Sequence, residues 1–261
     1  MRTGNGQADW REAGAYTPLQ CADRSVFAWE WLRRDERYRD CALRSLEAGG
    51  KGVAEDAWAC HAGAGRWGLH AFEWPGRSCL TARPVWRRDI HPLVLAVTAH
   101  PAKAATDVFE LDRFGERATV LASAGGRQHA LISDGLRTLR LDVIEGSVVG
   151  GPVSLRYRLN GLEAAERPLL SLRRLLGLWR AGNFPKALYP AEARARRWIL
   201  LLRTHDALAA GVGQREIAAT LLDPGSLRPR WRADDPSLRS RAQRLVRGAR
   251  QMAVDHRWLL R

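Results

Sequence analysis

Gly211-Val212-Gly213-Gln214-Arg215-Glu216-Ile217-Ala218-Ala219-Thr220-Leu221-Leu222 is the stretch on which the reading of this chain turns. Ile217, Ala218 and Leu221 make a short apolar stripe, and small Ala218 lets two helices cross closely, while Arg215 and Glu216 stay outside. A longer helix is expected before it, from about Glu192 to Ala210, with Trp198, Leu201, Leu202 and His205 on related faces and Gly211 just past its end. A long helix, a glycine and then an R-E-I-A-x-x-L helix is how the first two helices of many helix-turn-helix units begin.

Downstream, Pro236-Ser237 offers a helix start, and the helical pattern runs from Ser237 to about Ala253. Leu238, Ala242, Leu245, Ala249 and Met252 share one side, with Val246 at its edge. The opposite side collects Arg239, Ser240, Gln243, Arg244, Arg247 and Arg250. Arginine matches guanine edges and phosphates and glutamine matches adenine, so this face has the chemistry of a groove-reading helix. The plainer alternative is a solvated basic face on a packed helix. Arg215, on the outer side of the preceding helix, joins the candidate DNA contacts. The two helices are separated by Asp223–Asp235, 13 residues, where the ordinary turn takes three or four. That segment is either a wing-like insertion that touches the DNA backbone through Arg230 and Arg232, or a loop anchored by Trp231 that tilts the last helix.

Upstream, the texture changes three times. Residues 1–50 read as a small helical module, in which Asp23 or Ser25 caps a helix through Phe27, Ala28, Trp31 and Leu32, and Gly49-Gly50 lies past the end of the pattern. Trp29 and Trp31 cannot share one helix face, so one is expected in the core and the other partly exposed. Residues 51–79 are rich in Gly, Ala and Trp without a clean period, a linker or an irregular packed segment. Residues 80–160 hold five short strand-like runs, near Leu93–Val97, Ala118–Leu121, His129–Ile132, Thr138–Val143 and Val153–Tyr157, separated by turn residues such as Gly125-Gly126 and Ser133-Asp134-Gly135. The alternations Leu139/Leu141/Val143 and Val153/Leu155/Tyr157 are the period of a half-buried antiparallel sheet. Helical periodicity resumes from Leu162, with Leu169, Leu172, Leu175, Leu176 and Trp179, and stops at Gly182-Asn183. The expected fold is α+β: a small helical N-terminal module, a central antiparallel β unit, and a C-terminal helical domain over residues 161–261 that carries the helix-turn-helix-like head.

Charge separates these parts. Residues 1–150 carry 20 Lys+Arg against 19 Asp+Glu, and residues 151–261 carry 22 against 9, so nearly all of the formal net charge of +14 sits in the C-terminal part. A GC-rich genome explains abundant arginine, but not why only the first 150 residues balance it with acids. A positive field this local suits a polyanion and makes binding salt-sensitive. No apolar run is long enough to cross a membrane and the N-terminus shows no apolar signal region, so a cytoplasmic protein with no membrane partner is expected. The cysteines at 21, 41, 60 and 79 form no CxxC pair. The Cys60-His61 neighbourhood of His70 and Cys79 matches no zinc template, so free thiols and no metal or other cofactor are expected. No nucleotide-binding glycine motif, HExxH or GxSxG occurs, and His205-Asp206 and Asp255-His256 are sequence neighbours about 100° apart on a helix, so catalysis is not expected.

The two ends of the chain resemble a family of proteobacterial transcriptional regulators encoded on integrative and conjugative elements. At the N-terminus the resemblance lies in Asp9-Trp10-Arg11-Glu12, then Phe27-Ala28-Trp29-Glu30-Trp31-Leu32-Arg33-Arg34 and Tyr38-Arg39. At the C-terminus it lies in Arg197-Trp198-Ile199, Gln214-Arg215-Glu216-Ile217-Ala218, Trp231, and Leu238-Arg239-Ser240-Arg241 through Arg244-Leu245-Val246-Arg247. It implies a variant helix-turn-helix domain that activates excision or transfer genes of a mobile element, with double-stranded DNA as partner and Arg239, Arg241, Arg244 and Arg247 as contacts. It also implies that a small antiactivator protein can bind the same domain, with the apolar edges near Val246 and Trp258 as candidate contacts. The N-terminal module is left with three roles: touching RNA polymerase, DNA, or only the rest of this chain. RNA binding and a non-enzymatic protein-interaction adaptor are the rival readings. The strands lack the paired aromatics on which single-stranded bases stack.

Overall fold

Alternating apolar residues between positions 94 and 158 make five strands in the computed structural model, which describes residues 8–49, 63–103, 106–123, 125–223 and 236–261. They are β1 (Val94–Pro101), β2 (Ala118–Ala122), β3 (Gln128–Ser133), β4 (Thr138–Glu145) and β5 (Val153–Arg158). The α+β layout expected from sequence is the one observed. The strand order is β2-β3-β4-β1-β5. Every neighbouring pair is antiparallel except β1 and β4, which run parallel with Val94 opposite Arg140 and Val97 opposite Val143. Alternation encodes which side of a strand is apolar but not its direction, so the parallel pair has no signature in the sequence.

The central strands β3, β4 and β1 are covered on both faces, where the alternation predicts one wet face. On one side lies α3 (Glu166–Ala181), whose Leu175 and Leu178 join Leu95, Val97, Ile132, Leu139 and Leu141 in one apolar cluster with Phe184 and Tyr189. A helix that groups with the C-terminal part by sequence thus shares its core with the sheet. It stops at Gly182, which takes φ +69° and donates its N–H to the Leu178 carbonyl. On the other face of β4 sits Arg140, fully buried, donating to the Trp86 carbonyl and, at 2.7 Å, to Asp142. A buried guanidinium is tolerated because both partners are fixed acceptors.

The N-terminal part holds, among the described residues, the helices α1 (Arg24–Leu32) and α2 (Glu36–Gly49). Asp23 occupies the cap position of α1, but its carboxylate accepts the Thr138 N–H of β4 instead of capping. Trp29 and Trp31, expected to divide between core and surface, are both 1% exposed. The reason is that α1 has walls on opposite sides. Trp29 donates its indole N–H to the Arg77 carbonyl and meets Tyr38 edge-on, while Trp31 meets His205 edge-on at 5.5 Å. Residues 63–79 are irregular and place Ala64, Leu69, Phe72 and Cys79 in the same core.

Among the described residues the C-terminal helices are α4 (Ala195–Ala209), α5 (Gln214–Leu221) and α6 (Pro236–Val254), followed by a 3-10 turn, Arg257–Leu260. Phe27 and Trp31 of α1, Trp198 and Leu202 of α4, Leu245 of α6 and Leu259 belong to one hydrophobic cluster. The two ends of the chain therefore share a core. Charges cross it as well. Arg34 donates to Glu30 within its own helix region and, at 2.7 and 2.8 Å, to both carboxylate oxygens of Asp206 on α4. Tyr16 donates its hydroxyl to the same Asp206 at 2.7 Å. Among the described residues no helix is long and apolar enough to cross a membrane.

Candidate nucleic-acid interface

The corner between α4 and α5 is a four-residue turn, Ala210 to Gly213. Gly211 takes φ +75°, a conformation that a side chain would strain, and its N–H bonds back to the Leu208 carbonyl. Val212 donates to the Ala207 carbonyl, and extended Gly213 starts α5 by accepting from Ile217. Helix α5 buries Ile217, Ala218 and Ala219, and Ala218 packs on Leu238 and Ala242 of α6. Helix α6 therefore lies across both members of the corner. At Gly248 it approaches α4 closely, for a Cβ there would stand 3.0 Å from Leu201 Cδ2.

The two sides of α6 divide as its spacing predicts. Leu238, Ala242, Leu245, Ala249 and Met252 are buried, and Val246, placed at the edge by sequence, is buried too. Arg239, Ser240, Arg241, Gln243, Arg244, Arg247 and Arg250 are all exposed. Among the described residues, none of these five arginines forms an ion pair. Unpaired guanidiniums on a helix held rigidly from behind are free to meet an external anion. Arg215 is exposed on α5. Arg230, Trp231 and Arg232 lie outside the described residues.

Gln243, Arg247 and Arg250 line a groove of about 360 Å³ with Val246 and with Gln214, the first residue of α5. Gln214 belongs to the helix motif in the sequence but is not among the residues expected from it to contact DNA. Its signal was its place directly after Gly213, where the chain turns toward α6. A larger cleft of about 1270 Å³ opens where the segment at Ala8–Arg11 meets α4 and the end of α6, with Arg37 and Arg39 also on its wall.

The sheet holds a second polar cluster that sequence reading missed. His70 stacks on His129 with ring centres 3.7 Å apart, His129 bonds Asp142 at 2.8 Å, and Arg140 bonds the same Asp142 oxygen. Burial pushes the Asp142 carboxyl up, but the His129 hydrogen bond and the Arg140 charge outweigh it and hold the pKa down at about 2. Burial, then the neighbouring His129 and Arg140, lower His70 to about 4. This cluster lines neither of the two clefts. Its chemistry is that of a compensated buried charge. Among the described residues, Cys21, Cys41 and Cys79 are free thiols and no group of His, Cys, Asp and Glu is placed to hold a metal ion. Cys60 and His61 lie outside them.

Comparison with known proteins adds two family matches. Residues 9–70 match a family described as a proteobacterial transcriptional regulator-like domain. Residues 159–261 match one described as a T6SS transcription factor DNA-binding domain. No curated protein matches the chain. The two matches support a DNA-binding transcriptional regulator.

Proposed function

With a regulator-like domain at one end and a transcription-factor DNA-binding domain at the other as the premise, we propose that α6 is the groove-reading helix of a variant helix-turn-helix. In this reading Arg239, Ser240, Arg241, Gln243, Arg244, Arg247 and Arg250 face the duplex, Arg215 supports them from α5, and Arg230 and Arg232, between α5 and α6 in sequence, meet the backbone. The observation that carries it is the exposed, unpaired arginine row on a helix whose other side is buried against α4 and α5. The net charge of +13 over residues 151–261 supplies the surrounding field. The two glutamines in the groove beside Arg247 and Arg250 add donors and acceptors suited to base edges.

The finer role we propose is activation of excision or transfer genes on a mobile element, which the resemblance of both chain ends supports. Secretion-system promoters are the second target set, since the C-terminal match bears that name. RNA polymerase and a small antiactivator protein are the protein partners such a role would bring, and no catalytic step is required of the chain.

The test is duplex binding by the full chain at two salt concentrations, with Arg244→Ala and Arg247→Ala alongside. Binding that falls steeply with salt is expected, with each substitution weakening it and lowering the salt slope by about one. Binding that is tight yet indifferent to both substitutions would move the contact off α6. Absence of duplex binding at low salt would favour the adaptor reading, and a preference for single-stranded RNA the RNA reading.

A further inference from the structure

Trp10 closes the corner between α4 and α5. It is 3% exposed and packs with Ala207 of α4 and Ile217 of α5, bordered by Leu208, Val212 and Leu221. These residues span the turn that aims α5 and, through Ala218 against Leu238 and Ala242, the start of α6. The segment carrying Trp10 is tied down by its own backbone. Arg203 of α4, itself buried, donates Nε to the Trp10 carbonyl at 2.8 Å and Nη2 to the Arg11 carbonyl at 3.0 Å. Arg11 stands 4.4 Å over the Trp10 ring and reaches α5 directly, donating to Glu216 at 2.6 Å. One residue before Ala207, Asp206 is gripped by Tyr16 and Arg34.

We infer that Trp10, with Arg203, is a positioning residue of the DNA-reading head: the N-terminal segment sets the angle at which α5 and α6 are presented. The inference rests on the DNA reading above and deepens it. A helix of eight residues does not hold its own direction, because so short a helix is marginal without packing. Its inner face is Ile217 with Ala218 and Ala219, two residues that fill little space, so the indole packed on Ile217 supplies bulk that fixes the corner. Phosphate contacts tolerate small displacements of a helix, whereas bidentate base contacts do not. Loosening the wedge therefore costs discrimination between sequences before it costs affinity for duplex as such.

The experiment uses the full chain, a random-sequence duplex pool, and the duplex that the unmutated chain selects from that pool. Trp10→Ala, Trp10→Phe and Arg203→Met are compared at a temperature where far-UV circular dichroism shows each folded. The expected result for Trp10→Ala is unchanged affinity and salt slope on the random pool, with preference for the selected duplex reduced about tenfold or more. Trp10→Phe should retain most of that preference, and Arg203→Met should lose part of it. If Trp10→Ala does not fold, the Arg203→Met ratio decides alone. Preference intact in the folded variants would overturn the inference while leaving the DNA reading standing. Equal weakening on both duplexes with a lower salt slope would also overturn it, since the segment would then be a contact and not a support. An unmutated chain that binds neither duplex would remove the DNA reading and this inference together.

Discussion

At the scale of single residues, this protein uses buried charge to join distant parts of the chain. Glu30 would be pushed up by burial, yet Arg33 and Arg34 beside it hold its pKa down at about 2. The Asp206 carboxyl, also buried, is held well below the usual carboxylate range by Arg34, with hydrogen bonds from His205 and Tyr16 adding to the effect. Glu30 finds its partners three and four residues along its own segment, whereas Asp206 ionises inside the core only because Arg34 arrives from the other end of the sequence. His91 is the opposite case. Burial lowers its pKa to about 4, although its Nδ1 contacts the Leu260 carbonyl at 3.0 Å. A histidine whose folded pKa lies below its unfolded value of about 6.5 contributes stability above that value and loses it as pH falls toward 4. Between pH 7 and pH 5 this share is about 2 kcal/mol. Asp23, raised to about 6 mainly by burial, works in the reverse sense, losing its contribution as pH rises. The His91 share is therefore read by difference: urea unfolding of His91→Gln should fall less between pH 7 and pH 5 than that of the unmutated chain. Equal slopes would mean that His91 is not held neutral.

At the scale of elements, α6 and α1 contrast. Helix α6 is amphipathic, and its apolar positions at three and four were enough to assign each side chain to core or solvent. Helix α1 is buried all round, so periodicity cannot orient it, and both tryptophans find walls. One close contact between α6 and α4 is Gly248 against Leu201. Gly248→Val would drive two methyl groups into that crossing. A loss of about 1–3 kcal/mol in unfolding free energy is expected, as for other overpacked cores. A variant as stable as the parent would show that α4 and α6 can part without cost, and would also weaken the premise that the arginine row is held rigid. In the sheet, Leu139, Leu141 and Val143 announce the face under α3. The neighbouring Arg140 and Asp142 read as solvent positions, but they pair in a covered site.

At the scale of the whole molecule, the regulator-like and DNA-binding matches fall on segments that share one core. Residues 159–261 alone would expose Trp198 and Leu202 where Phe27 and its neighbours now lie, and would leave Asp206 without Arg34. That fragment should therefore melt without a cooperative transition in near-UV circular dichroism, while the full chain unfolds sharply. A fragment melting cooperatively within a few degrees of the full chain would show that the shared core contributes little.

The local patterns were legible without coordinates: five strands, the α4 and α5 helices around Gly211, and an α6 with one apolar and one arginine side. They depend on residue spacing and turn chemistry within a few positions, which a single sequence carries. What the tertiary structure alone decided was long-range. It inserted β1 parallel to β4, covered Arg140, buried both Trp29 and Trp31, brought Gln214 beside Arg247, and drove Trp10 into a corner built some two hundred residues later. Each of these is a pairing of surfaces from distant segments, and burial of a residue is a property of its partner's position, which no local period encodes.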